Sequence, residues 1–213
     1  MTDVYLEIGP KKKVFACAPD WPGWCRAGKT EEAALAALAD YIPRYRKIAQ
    51  RAGLPFEPDA LTVAERVTGN STTDFGAPAA VPELDARPVD AAVAERDTAL
   101  LRACWAAFDE LAAASPSELR KGPRGGGRDR DKMIAHVVEA ERSYARLIGV
   151  RHRPFPPADA AARDALRDEI AAVLGKPSDG VPLAAKGWPA RYAARRMAWH
   201  VIDHLWEMED RRP

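Results

Sequence analysis

The sequence predicts an α+β protein, and three observations carry that prediction. Short β-rich runs crowd the first seventy residues, a helical apolar period fills the chain from Pro88 onward, and an aperiodic stretch separates the two. The expected organisation is a small α+β unit over residues 1–68, a linker over 69–87 and a four-helix bundle over 88–213.

"VYLEIGP" and "VFACAP" are strand-like runs joined by "KKK", the pattern of a hairpin with a charged turn. "PDWPGWCRAGKT" follows, dense in Pro and Gly, and Thr30 is a good N-cap for "EEAALAALADYIPRYRKIAQRAG". Glu31 and Glu32 fall in the first turn, where the positive end of the helix dipole favours them. Pro43 is expected to bend or split this helix. "DALTVAERVTG" returns to strand alternation at Leu61, Val63, Glu65 and Val67. Residues 69–87, "GNSTTDFGAPAAVPELDAR", have no period and are rich in turn formers, which reads as a linker.

In the second half, Val93, Leu100, Leu101, Cys104, Phe108 and Leu111 share one face of a first helix that "SPSE" stops. A second helix runs from about Arg130 to Ile148 on Met133, Val137, Ala140, Tyr144 and Leu147. A third, "PADAAARDALRDEIAAVLG", ends at Gly175, read as a C′ glycine. A fourth starts near Pro189, a residue suited to the first turn.

The 32 Lys and Arg nearly balance 31 Asp and Glu, a net charge of +1, which argues against a dedicated nucleic-acid binder. No apolar run reaches the length of a membrane span, and no signal-peptide pattern opens the chain. Three cysteines with no CxxC pair suggest a reducing compartment. The expectation is a soluble, cytoplasmic protein, with homo-oligomerisation left open.

Only four histidines occur, yet two of them, His200 and His204, stand four apart in "AWHVIDHLWEMED". The inward stripe of that helix runs through Ala193, Met197, His200, Val201, His204, Leu205 and Met208. Side chains four apart on a helix lie on the order of 6 Å apart at Cβ, so both rings can reach one cation. His136 flanks Val137 on the second helix and faces inward or nearly so. Three imidazoles from two helices suit a divalent metal site with a coordination position left open. The competing reading is a packed core whose imidazoles bond to carbonyls or carboxylates.

"MIAHVVEAERSYARLIG", followed much later by "MAWHVIDHLWEMEDR", resembles the DinB-like (DinB/YfiT) superfamily of four-helix bundles over residues 88–211. Its members carry one ligand histidine on the second helix and an HxxxH pair on the last, the positions that His136, His200 and His204 match. The resemblance implies a divalent metal, zinc or nickel, at one end of the bundle. It also implies the chemistry of thiol-dependent transferases and isomerases, with a low-molecular-weight thiol and an electrophile as partners.

"ACAPDWPGWCRAGKTEEAALAAL" looks like the HicB-like fold over residues 3–68, through Pro22, Gly23, Gly28 and Thr30. Ala33 stands where that pattern usually has Glu. HicB antitoxins join this domain to a DNA-binding module. Here a helical bundle takes that place, so the resemblance implies a protein partner for the α+β unit rather than an antitoxin.

Weaker signals complete the reading. "KGPRGGGRDRDK" offers an anion site through Arg124 or Arg128, against a solvated connector, which is favoured. Trp188, Trp199 and Trp206 either wall a pocket for an apolar or aromatic ligand or supply one or two core anchors of the bundle, which is favoured. Arg195 and Arg196, one turn before His200, either hold a substrate carboxylate or lie on the solvated face, which is favoured. Glu139 and Glu141 are candidates to orient a ligand imidazole. Asp203 points away from both histidines, and His152 belongs to a polar connector. Two function classes follow: a metal-dependent thiol transferase or hydrolase, or a non-catalytic interaction protein whose HicB-like unit binds a protein partner.

Overall fold

The computed structural model describes residues 1–122 and 126–213. Its architecture is α+β, with a four-stranded sheet in the N-terminal part and a helical C-terminal part. Strands β1 (Thr2–Ile8) and β2 (Val14–Cys17) form the expected antiparallel hairpin. Its tight return places Lys12 at φ 73. Strand β3 (Cys25–Gly28) pairs antiparallel with β2, and β4 (Leu61–Thr68) pairs parallel with β1, giving the order β3-β2-β1-β4. β3 lay in the Pro-Gly-dense stretch that the sequence did not mark as a strand.

Thr30 caps helix α1 (Glu31–Asp40) by accepting from the Ala33 amide. The helix breaks at Tyr41, and α2 (Ile42–Arg51) restarts with Pro43 in its first turn, so proline splits the predicted helix. A parallel β1–β4 pair needs a crossover, which α1 and α2 supply.

Both faces of β1 are buried, in different company. Val4 and Leu6 join Val14, Ala16, Leu38 and Tyr45 in the main core, whereas Tyr5 turns to the other side with Phe15, Cys17, Cys25 and Trp199. Strand alternation produces this division directly.

The stretch read as a linker is structured and held to the sheet. Asn70 caps the short helix α3 (Ser71–Phe75) in a capping box with Thr73. A 3₁₀ turn spans Glu83–Ala86. Buried Glu7 accepts from the Thr73 hydroxyl (2.5 Å) and the Ala79 and Ala80 amides (2.8 and 3.1 Å). Glu65 accepts from the Glu83 and Leu84 amides.

Helices α4 (Ala91–Ala113), α5 (Arg130–Arg146), α6 (Ala160–Leu174) and α7 (Ala190–Arg211) pack on one another around the apolar stripes. Asp90 and Asp159 cap α4 and α6. Gly175 ends α6 with φ −76, so it is not the left-handed C′ glycine predicted. It adds no conformational necessity there, since any residue adopts that φ.

α7 is the hub. One side meets α4 and α5, and the other meets the Glu83–Ala86 turn and side chains of the α+β unit. There Phe15 meets Trp199 edge-on (6.1 Å), Tyr41 meets Trp206 (4.7 Å), and Arg26 pairs with Asp203 (3.1 Å). Gly23, at φ 93, brings its backbone against Ala198 and Ile202, where a Cβ would sit 2.5 Å from Ile202 Cδ1. One continuous apolar core therefore crosses between the two parts. No helix among the described residues is long and apolar enough to cross a membrane.

Candidate metal centre

α5 and α7 bring His136, His200 and His204 together. His136 reaches the site from the second turn of α5, beside the buried Met133 and Val137. His200 and His204 lie one turn apart on α7, both nearly buried, at 6% and 8% exposure, while His136 is partly exposed. The three ring centroids are 4.7 to 5.0 Å apart. Their candidate donor atoms all lie within 4.8 Å of one another, close enough to hold a metal ion.

The Nε2 atoms of His136 and His200 are 3.2 Å apart. Donors bound to a tetrahedral ion at Zn–N distances of about 2.0–2.1 Å are separated by about 3.3 Å, so this pair already has the spacing of a shared shell. The set also departs from a self-satisfied core network. Only His204 has a carboxylate, its Nδ1 lying 3.0 Å from Glu207 Oε2, which leaves Nε2 for another partner. His200 Nδ1 is buried without a hydrogen-bond partner among the described residues. Packed core histidines ordinarily satisfy both nitrogens.

Electrostatics keep two of the rings neutral. Burial first, then the His204 and Arg128 charges, push His136 down to about 4. Burial, His204 and Arg196 hold His200 well below the usual imidazole range. Neutral imidazole is the form that donates a lone pair to a cation. Glu207 is held below its ordinary value, chiefly by its hydrogen bond to His204. Arg211 braces Glu207 from one turn further on, at 2.8 Å.

Glu207 is the supporting residue that the sequence reading missed. Its signal was present, because a carboxylate three positions after a ligand histidine shares its helix face. The residues nominated for that role do other work. Buried Glu141 pairs with Arg167, and exposed Glu139 pairs with Arg142. Asp203 points away, toward Arg26, as expected. His152 stands apart, beside Glu169. Arg128 is exposed but contributes charge at His136 and His200, and Arg124 lies outside the described residues.

Comparisons with protein-family models, curated proteins and solved structures return no match. The DinB-like and HicB-like resemblances rest on their motifs.

Of two sequence expectations around this centre, the tryptophan anchors hold and the solvated arginines do not. Trp199 and Trp206 are buried anchors against Phe15 and Tyr41, while half-buried Trp188 meets Tyr144 at a tilt and Tyr192 edge-on. Arg195 and Arg196, expected on a solvated face, are both buried. For Arg195 the reason is that the connecting segment and the sheet, through Asp85 and Tyr5, cover the side of α7 that a lone bundle would leave in water. Arg196 is covered instead by the rings of Tyr144 and Trp199. Arg195 forms a buried ion pair with Asp85, and Arg196 lies over the Tyr144 and Trp199 rings.

Proposed function

We propose that this chain is a DinB-like protein that binds one divalent cation, zinc or nickel, through His136, His200 and His204. The activity proposed with it is a metal-dependent thiol transfer or hydrolysis. The observation that carries the reading is the convergence of three imidazoles from two helices, two of them 3.2 Å apart at Nε2. A divalent cation bound by three imidazoles supplies Lewis acidity and makes a water or thiol more acidic.

The chain's own residues prepare that chemistry. Glu207 orients His204 through Nδ1, the usual device for fixing which nitrogen faces a cation. Burial and neighbouring cations keep His136 and His200 unprotonated near neutral pH. Partial exposure of His136 gives the cluster a solvent side by which a small molecule enters. Three protein ligands leave a coordination position for that molecule.

The test is metal analysis of the full chain purified without a metal-affinity column. The reading expects about one divalent ion per chain in the wild type and its loss in His200→Ala. Metal-free wild-type protein that takes up no zinc or nickel on addition contradicts it.

A further inference from the structure

Arg196 is a buried cation with no anion among the described residues. The residue is 7% exposed, its Nη1 is buried without a hydrogen-bond partner, and no ion pair engages it there. The neighbouring arginines of α7 are matched differently. Arg191 pairs with Asp20 at 2.9 Å, and Arg195 pairs with Asp85. Burying a guanidinium without a counter-ion is costly, so an unmatched one needs an explanation.

Its position supplies one. Arg196 stands four residues before His200, on the same face of α7. Its guanidinium carbon lies 4.6 Å from the Trp199 ring centre and 5.1 Å from that of Tyr144. The Tyr144 ring is in turn 5.6 Å from His200 and comes from α5, the helix that carries His136. Two aromatic rings thus hold the guanidinium beside the histidine cluster and occupy its surroundings with flat, apolar surface. The ring faces stabilise the cation through their quadrupoles but accept no in-plane hydrogen bond, and Arg196 Nη1 is left without a partner among the described residues.

We propose that Arg196 anchors a carboxylate of the small molecule taken by the three-histidine centre, an assignment that rests on the metal-binding reading above. A guanidinium presents two parallel N–H donors in one plane, which matches the two oxygens of a carboxylate. A carboxylate also brings one negative charge to one positive charge. The substrate class is therefore a small carboxylate that carries a second, metal-seeking group. Arg196 is a specificity-determining residue in this assignment, since it selects the substrate by its charged end.

The experiment uses the full chain loaded with cobalt(II), whose visible spectrum reports its ligands. Mercaptoacetate and 3-mercaptopropionate are titrated against their neutral amides, which keep the thiol and lose the charge. The wild type is expected to bind the acids about tenfold more tightly than the amides. R196Q abolishes that preference and R196K reduces it, while both variants still take up cobalt and bind the amides. Equal binding of acids and amides by the wild type, or a preference that survives in R196Q, overturns the assignment and leaves the metal reading standing. If the chain takes up no cobalt, the metal reading fails, and acetate added to the metal-free chain decides the anchor separately. At a tenfold excess over its Kd, acetate is then expected to raise Tm by about 2–4 °C over chloride in the wild type and not in R196Q. No difference between the two proteins overturns the assignment on that arm.

Discussion

Asp85, in the stretch that joins the two parts of the chain, forms a fully buried ion pair with Arg195 in the second turn of α7. The Arg195 guanidinium also lies over Tyr5 (4.7 Å) and Tyr192 (5.1 Å), so sheet, connecting segment and bundle meet at one side chain. Removing one partner of a buried pair leaves an uncompensated charge, which costs about 3–5 kcal/mol. Asp85→Ala is expected to lose that much stability in urea unfolding. Arg51→Ala, which breaks the exposed pair with Glu110, is expected to lose less than about 1 kcal/mol. Equal losses would mean that Asp85 does not hold the two parts together.

Gly23 brings the backbone of the α+β unit close against α7 at Ala198 and Ile202. Its φ of 93 strains any L-residue, and a Cβ there meets Ile202 Cδ1 at 2.5 Å. Gly53 has φ 73 but open space around it, so it isolates the backbone part. Gly53→Ala is expected to cost about 1–2 kcal/mol from conformation alone. Gly23→Ala is expected to cost about 1–3 kcal/mol more, from the overpacking. Thermal unfolding of both variants checks the difference, and equal costs would remove the proposed tight contact.

Much of this architecture was legible in the sequence, and the failures share one physical origin. The stripes of α4 to α7, the hairpin and the Thr30 cap are local patterns, and all appear in the structure. β3 is four residues long, flanked by turn formers and interrupted by Arg26, so it has no alternation of its own and is defined only by its pairing with β2. The 69–87 stretch has weak local preference and is ordered by Glu7, Glu65 and Arg195, which are distant in sequence. Burial of Arg195 was hidden for the same reason, because periodicity describes one face of a helix and α7 has a second face covered by Asp85 and Tyr5. Burial of Arg196 depends on the Tyr144 ring that α5 brings over it. The histidine cluster was legible because an HxxxH pair and the His136 stripe position are helical geometry. Glu207 was legible too, at a spacing of three.

Without metal, the chain is expected to lose stability as pH falls from about 6.5 toward 4. An unfolded imidazole titrates near 6.5, whereas folded His136 titrates at about 4 and His200 well below the ordinary value. In that window the unfolded chain binds more protons, so stability is full above the window and falls through it. Asp97 opposes this, because burial raises it to about 6 and its contribution is lost as pH rises. The histidine part is therefore read as a difference between the wild type and a His136→Asn/His200→Asn variant. The wild type should lose more Tm between pH 7 and 4.5, and parallel curves would refute the electrostatic description.

Glu207→Gln keeps the shape of the side chain and removes the charge that faces His204 Nδ1. Zinc affinity, measured by competition with a chelator, is expected to fall about 10–100-fold. Glu139→Gln, on an exposed carboxylate engaged by Arg142, should leave it unchanged. An unchanged affinity in Glu207→Gln would show that His204 needs no orienting carboxylate.

The most direct measurement is X-ray absorption at the metal edge of the zinc-loaded full chain. Three imidazole nitrogens at about 2.0–2.1 Å are predicted, falling to two in His136→Ala. A shell containing sulfur, or one left intact by that substitution, would contradict a cation held where α5 meets α7.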